Sequence, residues 1–221
     1  MGWHTGTVLD VSPTKAASRP TARRRPDRPI GVGNDFLIVL VCSANLCRSP
    51  MAEYLLRKYI EENKLPVRVS SAGTHAKPDM PMHPLARQAL ASLQIEVPSF
   101  TSRQLTSTIV DRSNIILTMT DAQRSWVVKK FPAAVQRTYL LSQFSRLVGA
   151  ADPVAPVAAG EWGPSLIGRA VHGRTLVQPL VEGRDIEDPI GRPLRQFQNC
   201  ARLIEQRLNP LFVGITEEPA T

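Results

Sequence analysis

The sequence has 221 residues, of which 43% are hydrophobic and 21% charged, and it carries a formal net charge of +8. This length holds one medium domain with extensions, and the composition is that of an ordinary globular protein. No apolar run approaches the roughly 18 residues of a membrane-spanning helix, so we expect no membrane span. Half of the excess charge lies in residues 1–34, with six basic and two acidic side chains. The charge therefore gives no reason to expect specific nucleic-acid binding and is as compatible with an anionic substrate.

Residues 1–34 contain four prolines, clustered arginines and few large apolar side chains. Such a segment cannot bury enough surface to offset its ordering entropy, so we expect a disordered basic tail, with a docking arm for polyanions or membrane surfaces as the alternative. The arginines followed by an apolar run resemble a signal sequence, but the run over 36–41 is only six residues long, so we expect no signal peptide. Three cysteines do not form a disulfide scaffold and fit a reducing cytoplasm.

The hydrophobic pattern next predicts alternating strands and helices. In chain order these are a strand at 35–41, a helix that starts near 49 and ends at 63–66, a strand at 67–73, a helix at about 85–93, a strand at 115–119, a helix at about 121–130, a strand at 138–141 and a last helix at about 193–208. The first strand is apolar throughout, as in a parallel sheet covered on both faces. We therefore expect an α/β fold, a three-layer sandwich with a central four-stranded parallel sheet.

Residues 145–185 interrupt this alternation with four prolines and six glycines. A structureless loop of this length is unusual inside a compact domain. We expect an insertion, which is either a lid or a partly disordered segment. The predicted organisation is thus a tail over 1–34, a domain over 35–212 that contains the insertion, and a C-terminal tail over 213–221.

The loop after the first strand carries the chemistry. Cys42 ends the strand, and Arg48 and Ser49 follow in the pattern Cys-x5-Arg-Ser. A strand-to-helix loop lies at the carboxyl edge of such a sheet, where its N–H groups and the helix N-terminus attract anions. The fork of Arg48 suits two oxygens of a phosphate, and the same field favours the reactive thiolate of Cys42. The sequence therefore predicts a phosphatase-type loop, in which the Ser49 hydroxyl can donate to the sulfur.

The stretch Val41–Glu53, with the sequence VCSANLCRSPMAE, closely resembles the active-site loop of low-molecular-weight protein tyrosine phosphatases. Further similar segments lie at 71–74, 102–105, 116–119 and 186–189, and the resemblance covers roughly residues 36–144 and 186–208. It implies a phosphomonoester hydrolase of the protein tyrosine phosphatase type. Neither a metal nor another cofactor is expected, because the loop dipoles and Arg48 supply the positive charge.

The resemblance also implies the residue roles. Cys42 is the expected nucleophile that forms a phosphocysteine intermediate, and Arg48 binds the phosphate and stabilises the transition state. Asp188 is the expected general acid and base. The phosphate-binding loop comprises Ser43, Ala44, Asn45, Leu46, Cys47, Arg48 and Ser49. From the residues alone Asp152 and Asp185 rival Asp188, and the amphipathic helix that follows 188–189 favours Asp188.

Three further residues have roles implied by the resemblance or left open. Asn45 resembles the asparagine that shapes the loop in this family, and Ser49 resembles the serine that stabilises the thiolate. Cys47 is a candidate redox partner that would form a reversible disulfide with Cys42, or else a small buried side chain. Cys200, on the last helix, is expected to serve packing.

The chain departs from the family pattern at three positions. Ala44 replaces the usual glycine, so either the loop does not need a positive φ there or it is strained. Ser43 occupies a wall position that is often apolar, and Ile190 stands where aromatic residues commonly flank phosphotyrosine. These departures weaken the expectation of a strictly tyrosine-selective pocket.

We expect the substrate to be a phosphotyrosine protein or an aryl phosphate, in the cytoplasm. If the chain is bacterial, the resemblance points to an autophosphorylating tyrosine kinase of polysaccharide export as the partner. One alternative is an arsenate reductase on the same scaffold, which needs further cysteines after the second strand, whereas residues 75–113 contain none. The other alternative is a non-catalytic phospho-binding regulatory module, motivated by the long loop and the basic tail.

Overall fold

The computed structural model describes residues 1–2, 36–151, 157–178 and 185–215. The predicted basic tail therefore lies outside the described residues apart from residues 1–2, as do Asp152 and residues 216–221 of the predicted C-terminal tail. Within the described ranges, no helix is both long enough and apolar enough to cross a membrane.

Four strands and seven helices make up the described fold. The strands are β1 (Phe36–Cys42), β2 (Val67–Gly73), β3 (Ile115–Thr118) and β4 (Thr138–Leu140). The helices are α1 (Arg48–Glu62), α2 (Pro84–Ala91), α3 (Ser107–Arg112), α4 (Asp121–Lys130), α5 (Leu141–Ala150), α6 (Trp162–Leu176) and α7 (Leu194–Leu208). Every predicted element is present within about two residues of its predicted bounds. The short α3 is an addition, and the Thr106 hydroxyl caps it by accepting from the Ile109 N–H at 3.3 Å.

The strands form one parallel sheet in the order β2-β1-β3-β4, which confirms the predicted α/β fold. Side chains of β1 alternate between two cores: Ile38 and Leu40 belong to one, and Val39 and Val41 to the other. The sheet is thus covered on both faces, which explains the unbroken apolar run. Because β1 lies between β2 and β3, the loop that follows Cys42 emerges between the ends of its two neighbours.

The sequence predicts an insertion over 145–185, either a lid or a partly disordered segment, whereas most of the described part of that stretch is helical. Residues up to 150 continue α5, and α6 packs closely on α5. A Cβ atom on Gly173 would lie only 2.1 Å from the Leu147 carbonyl oxygen, so this glycine permits close helix packing. Trp162 is buried, and its indole N–H donates to the Leu211 carbonyl at 2.8 Å. Gly173, one of the glycines that indicated a loop, is therefore a packing contact between α5 and α6.

Arg169 of α6 forms hydrogen bonds that connect the last described residues to the domain. Its buried guanidinium donates to the Val148 carbonyl at 3.0 Å and to the Pro210 carbonyl at 3.1 Å. It also donates to the Val213 carbonyl at 3.3 Å. Residue 213, the start of the predicted C-terminal tail, therefore contacts the folded domain.

Candidate active site

The predicted loop joins the end of β1 to the start of α1. Cys42 is buried, and its Sγ lies 3.0 Å from the hydroxyl oxygen of Ser49 in the first turn of α1. The backbone of the neighbouring segment holds the loop from the side, since the Thr74 N–H donates to the Cys42 carbonyl at 2.9 Å. The fold thus brings the predicted nucleophile and the predicted thiolate-stabilising serine into direct contact.

Asn45 shapes this loop from within. It is fully buried and adopts a φ of 55°, a left-handed conformation that asparagine tolerates better than most residues. Its Nδ2 group donates to Ser49 Oγ at 3.0 Å and to Ser71 Oγ at 2.9 Å, while its Oδ1 accepts from the Arg103 N–H at 2.8 Å. Because Ser49 Oγ accepts from Asn45, its own proton is available to donate to Cys42 Sγ.

A buried carboxylate anchors the same network. The Ser71 hydroxyl donates to Glu53 Oε2 at 2.5 Å, and Arg57 donates to Glu53 Oε1 at 2.6 Å. Glu53 is only 2% exposed. The sequence alone did not indicate a role for Glu53 or Ser71. The available signal was spacing, because Glu53 follows Ser49 by four residues and therefore lies on the same face of α1.

The two unusual residues at the start of the loop are accommodated without strain. Ala44 is not among the non-glycine residues with a positive φ, which in the described chain are Asn45, Lys64, Asp79 and Gln94. The loop therefore does not need a glycine at position 44. Ser43 Oγ accepts from Gln123 Nε2 of α4 at 3.0 Å, so the polar wall residue is held in place by a neighbour that the sequence did not identify.

Arg48 connects the loop to the distant segment that contains the predicted acid. Its Nη1 donates to the Ile186 carbonyl at 3.1 Å, and its Nη2 forms an ion pair with the Asp188 carboxylate. The Nε atom is buried and has no hydrogen-bond partner within the described residues. A buried guanidinium N–H without a partner is costly, and a phosphate oxygen is the type of acceptor that would satisfy it.

Asp185 and Asp188 lie close in sequence but have different partners. Asp185 Oδ1 accepts from the Asp121 N–H at 2.9 Å, at the N-terminus of α4. The Asp188 carboxylate pairs with Arg48 and accepts from the Ile190 N–H at 3.3 Å, with 42% of its side chain exposed. Of the two, only Asp188 is within reach of the loop, and it keeps the solvent access that a proton-transferring group needs.

The other two cysteines are buried thiols near the loop, and none of the three cysteines forms a disulfide. Burial raises the pKa of Cys47 far above its usual range, and the charges of Asp188, Cys42 and Cys200 raise it further, whereas Arg48 opposes them. Burial likewise raises the pKa of Cys200 to about 12. Both are therefore protonated thiols at neutral pH. Cys200 packs among core residues, in line with its predicted role.

Comparisons with known proteins agree with this geometry. Residues 37–157 match the family model of the low molecular weight phosphotyrosine protein phosphatase. A probable low molecular weight protein-tyrosine-phosphatase, EpsP, from Ralstonia nicotianae is 36% identical over 116 residues, which span 52% of this chain and 77% of that protein. A protein-arginine-phosphatase from Geobacillus stearothermophilus is 34% identical over 150 residues, which span 66% of this chain and 95% of that protein.

Solved structures give the same assignment. The arginine phosphatase YwlE from Geobacillus stearothermophilus superposes with a TM-score of 0.59 at 27% identity, over 80% of this chain and 90% of that one. A low molecular weight phosphotyrosine phosphatase from Vibrio cholerae superposes with a TM-score of 0.59 at 25% identity, over 80% of this chain and 94% of that one. The chain therefore belongs to the low molecular weight phosphotyrosine protein phosphatase family and is an enzyme of that type.

Proposed function

We propose that this enzyme hydrolyses phosphotyrosine and related aryl phosphates through a phosphocysteine intermediate on Cys42. The observation that carries the proposal is the position of Arg48, which is buried beside the thiol loop and paired with Asp188. The Arg48 guanidinium therefore contacts the candidate acid and still has its Nε–H available for an anion. This arrangement supports the roles that the sequence predicts for the three residues.

In the first step, the Cys42 thiolate attacks phosphorus and the bond to the aryl oxygen breaks. Asp188 transfers its proton to that leaving oxygen, so that a neutral phenol departs. Arg48 and the backbone N–H groups of the loop hold the equatorial oxygens and stabilise their developing charge. The sulfur–phosphorus bond that forms is the phosphocysteine intermediate.

In the second step, a water molecule attacks the phosphocysteine while the Asp188 carboxylate accepts its proton. The sulfur–phosphorus bond breaks, inorganic phosphate is released, and Cys42 leaves as a thiolate. The Ser49 hydroxyl stabilises this thiolate by donating to Sγ, an orientation supported by the hydrogen bond from Asn45 to Ser49. Each turnover thus regenerates the enzyme without an external oxidant or reductant.

The direct test is the turnover of para-nitrophenyl phosphate and of a phosphotyrosine peptide by wild type, Cys42→Ser and Asp188→Ala. We expect hydrolysis by wild type and none by Cys42→Ser. Hydrolysis that survives in Cys42→Ser would exclude the proposed intermediate. Tight phosphopeptide binding by wild type without turnover would instead support the non-catalytic module, and thioredoxin-dependent arsenate reduction would support the reductase.

Phosphoarginine is a second candidate substrate. The observation that favours it is the Geobacillus relative named a protein-arginine-phosphatase. The alignment with this chain covers 95% of that relative, compared with 77% of the EpsP relative. The same residues could break a phosphorus–nitrogen bond if Asp188 protonates the leaving nitrogen. Parallel measurements of kcat/KM on peptides that carry phosphotyrosine or phosphoarginine decide between the two substrates.

The partner and the location are also proposals. The EpsP relative, named a probable low molecular weight protein-tyrosine-phosphatase, supports a phosphotyrosine protein as the substrate. For a bacterial chain, we propose a tyrosine kinase of polysaccharide export as the partner. Three unbonded cysteines support a reducing cytoplasm as the location. Dephosphorylation of a purified kinase of this type, with Cys42→Ser as the control that traps it, tests the assignment.

We also propose that Cys47 protects the nucleophile from irreversible oxidation. A peroxide oxidises the Cys42 thiolate to a sulfenic acid, and the Cys47 thiolate then attacks that sulfur. The new disulfide forms as hydroxide leaves and is taken up as water, and a dithiol later reduces the bond. The position of both cysteines in one short loop supports such a pair, and the charge of Cys42 acts on the Cys47 thiol.

A further inference from the structure

A cavity of about 420 Å³ lies at the β4 edge of the sheet, and the proposed chemistry does not use it. It is bordered by α4, β4, α5 and α6, whereas Cys42 ends β1, which is separated from β4 by β3. Part of its wall comes from α6, and the proposed phosphatase reaction uses no residue of this helix.

Three arginines from three different helices line this cavity: Arg124 of α4, Arg146 of α5 and Arg174 of α6. None of the described lining residues is acidic, and none of the three arginines has a carboxylate partner within the described part of the chain. Convergence of like charges without a counter-charge is unfavourable in the free protein. An anion in the cavity would remove that cost.

The arginines are held in place by other groups and keep N–H donors free. Arg124 Nε donates to the Thr138 carbonyl at 3.2 Å, and Arg146 Nη1 donates to the Gln178 carbonyl at 3.0 Å. The guanidinium carbon of Arg174 lies 5.5 Å from the centroid of the Tyr139 ring. Each contact uses only part of a guanidinium, so planar forks remain available for phosphate oxygens.

Tyr139 adds a hydroxyl donor to the wall of the cavity. Its side chain is only 4% exposed and lines the cavity. Burial raises the pKa of Tyr139, with Arg174 and Arg124 acting in the opposite direction, so the phenol is a protonated donor at neutral pH. The phenol can therefore donate one further hydrogen bond to an anion held by the three arginines.

The remaining lining indicates what kind of anion fits. Val135 and Leu147 add aliphatic surface beside the Tyr139 ring, and the volume exceeds that of a bare phosphate. We propose that this cavity binds the phosphate group of an organic phosphate monoester at a second site, distinct from the catalytic loop. The ester is either a free metabolite or a second phosphorylated side chain of the protein substrate, since both present the same dianion on an organic body.

The test is calorimetric titration with phenylphosphonate, which the enzyme cannot hydrolyse. Wild type is expected to bind two equivalents, one in the catalytic loop and one in the cavity. The double variant Arg146→Glu, Arg174→Glu is expected to bind one equivalent and to keep its turnover of para-nitrophenyl phosphate. Arg87→Glu, a reversal at an exposed arginine on α2, is the matched control and should still bind two.

Equal numbers of bound equivalents in wild type and in the double variant would overturn the proposal. Tyr139→Phe gives a milder check that does not reverse charge, and we expect about fivefold weaker binding in the cavity. The readout is also independent of the catalytic proposal. If the catalytic loop did not bind phosphonate, wild type would bind one equivalent and the double variant none.

A second arm separates the two sources of the ester. Peptides with one or two phosphotyrosines are compared by their KM values in wild type and in the double variant. A lower KM for the doubly phosphorylated peptide, lost in the double variant, identifies a phosphorylated side chain of the substrate. Equal KM values, with the second phosphonate equivalent still bound, identify a free organic phosphate.

Discussion

Arg48 and Asp188 form an ion pair although 140 positions separate them in the chain. The pair places the predicted acid directly on the predicted phosphate-binding cation. We expect a phosphate that binds Nη2 of Arg48 to displace the Asp188 carboxylate, so that Asp188 competes with the substrate for this cation.

Replacement of Asp188 by alanine should separate its competition with phosphate for Arg48 from its proposed proton transfer to the leaving group. We expect kcat for a phosphotyrosine peptide to fall by about 10² to 10⁴, with a smaller loss for para-nitrophenyl phosphate, whose leaving group needs less protonation. Phenylphosphonate should bind about twofold to fivefold more tightly, because the partly exposed ion pair no longer competes. Asp185→Ala is the matched control and should change neither value. Weaker phosphonate binding by Asp188→Ala would contradict the competition.

Removal of the Ser49 hydroxyl should slow the second chemical step. In Ser49→Ala the departing thiolate loses a hydrogen bond worth about 1–2 kcal/mol, so breakdown of phosphocysteine should slow by about tenfold. Rapid-quench measurements should then show accumulated phosphoenzyme and a burst of phenol release. Ser43→Ala, which removes a hydroxyl bonded to Gln123 rather than to the sulfur, should give no burst. Equal bursts in the two variants would exclude a specific role for Ser49.

Gly73→Ala should distort the phosphate-binding loop from the neighbouring strand. A Cβ atom at Gly73 would lie 2.4 Å from the Ser43 carbonyl oxygen and 2.8 Å from the Ala76 Cβ. Because the closest atom belongs to the backbone, the loop must shift, and we expect a loss of about 1–3 kcal/mol in unfolding free energy together with a large loss of kcat/KM. A Cβ at Gly168 of α6 meets nothing within 4 Å, so Gly168→Ala should be neutral or slightly stabilising. Urea unfolding and turnover measure both variants.

Oxidative inactivation should be reversible in a way that depends on pH. Because burial raises the pKa of Cys47, its thiolate fraction is small at neutral pH and grows about tenfold per pH unit below that pKa. The fraction of activity that dithiothreitol restores after peroxide treatment should therefore rise between about pH 6 and pH 8. Cys47→Ser should recover less activity than wild type and show no such rise with pH, because dithiothreitol can then reduce only the remaining sulfenic acid. Cys200→Ser should behave like wild type. Full recovery in Cys47→Ser would exclude the disulfide.

Trp162→Ala tests whether α6 belongs to the folded core. The indole is buried, donates to the Leu211 carbonyl at 2.8 Å and stacks on Phe212 with ring centroids 5.1 Å apart. We expect a loss of about 3–5 kcal/mol in unfolding free energy, measured by urea denaturation. Val171→Ala on the same helix, at a side chain that is 54% exposed, should change stability by less than about 0.5 kcal/mol. A small effect of Trp162→Ala would restore the interpretation of this stretch as a peripheral loop.

Local patterns in the sequence were sufficient for the fold and for the identity of the loop. The apolar run of β1 is typical of a strand covered on both faces, and Cys42, Arg48 and Ser49 follow it at fixed spacing. These features depend on neighbours within a few residues, which is the range over which hydrophobic periodicity and helix capping act. The glycines of α6 misled the same reasoning, because a glycine at a close helix contact and a glycine in a loop look alike in sequence.

Only the tertiary structure decided which distant residues support the loop. Asn45 bonds to Ser71 and to the backbone of Arg103, and the Glu53 carboxylate closes the network. Asp188 rather than Asp185 contacts Arg48 because the segment after residue 185 runs past the end of β3, where the Ile186 N–H donates to the Met119 carbonyl at 2.8 Å. Parallel strands gather their carboxyl ends at one edge of the sheet, so residues far apart in the chain become neighbours only once strand order and register are set.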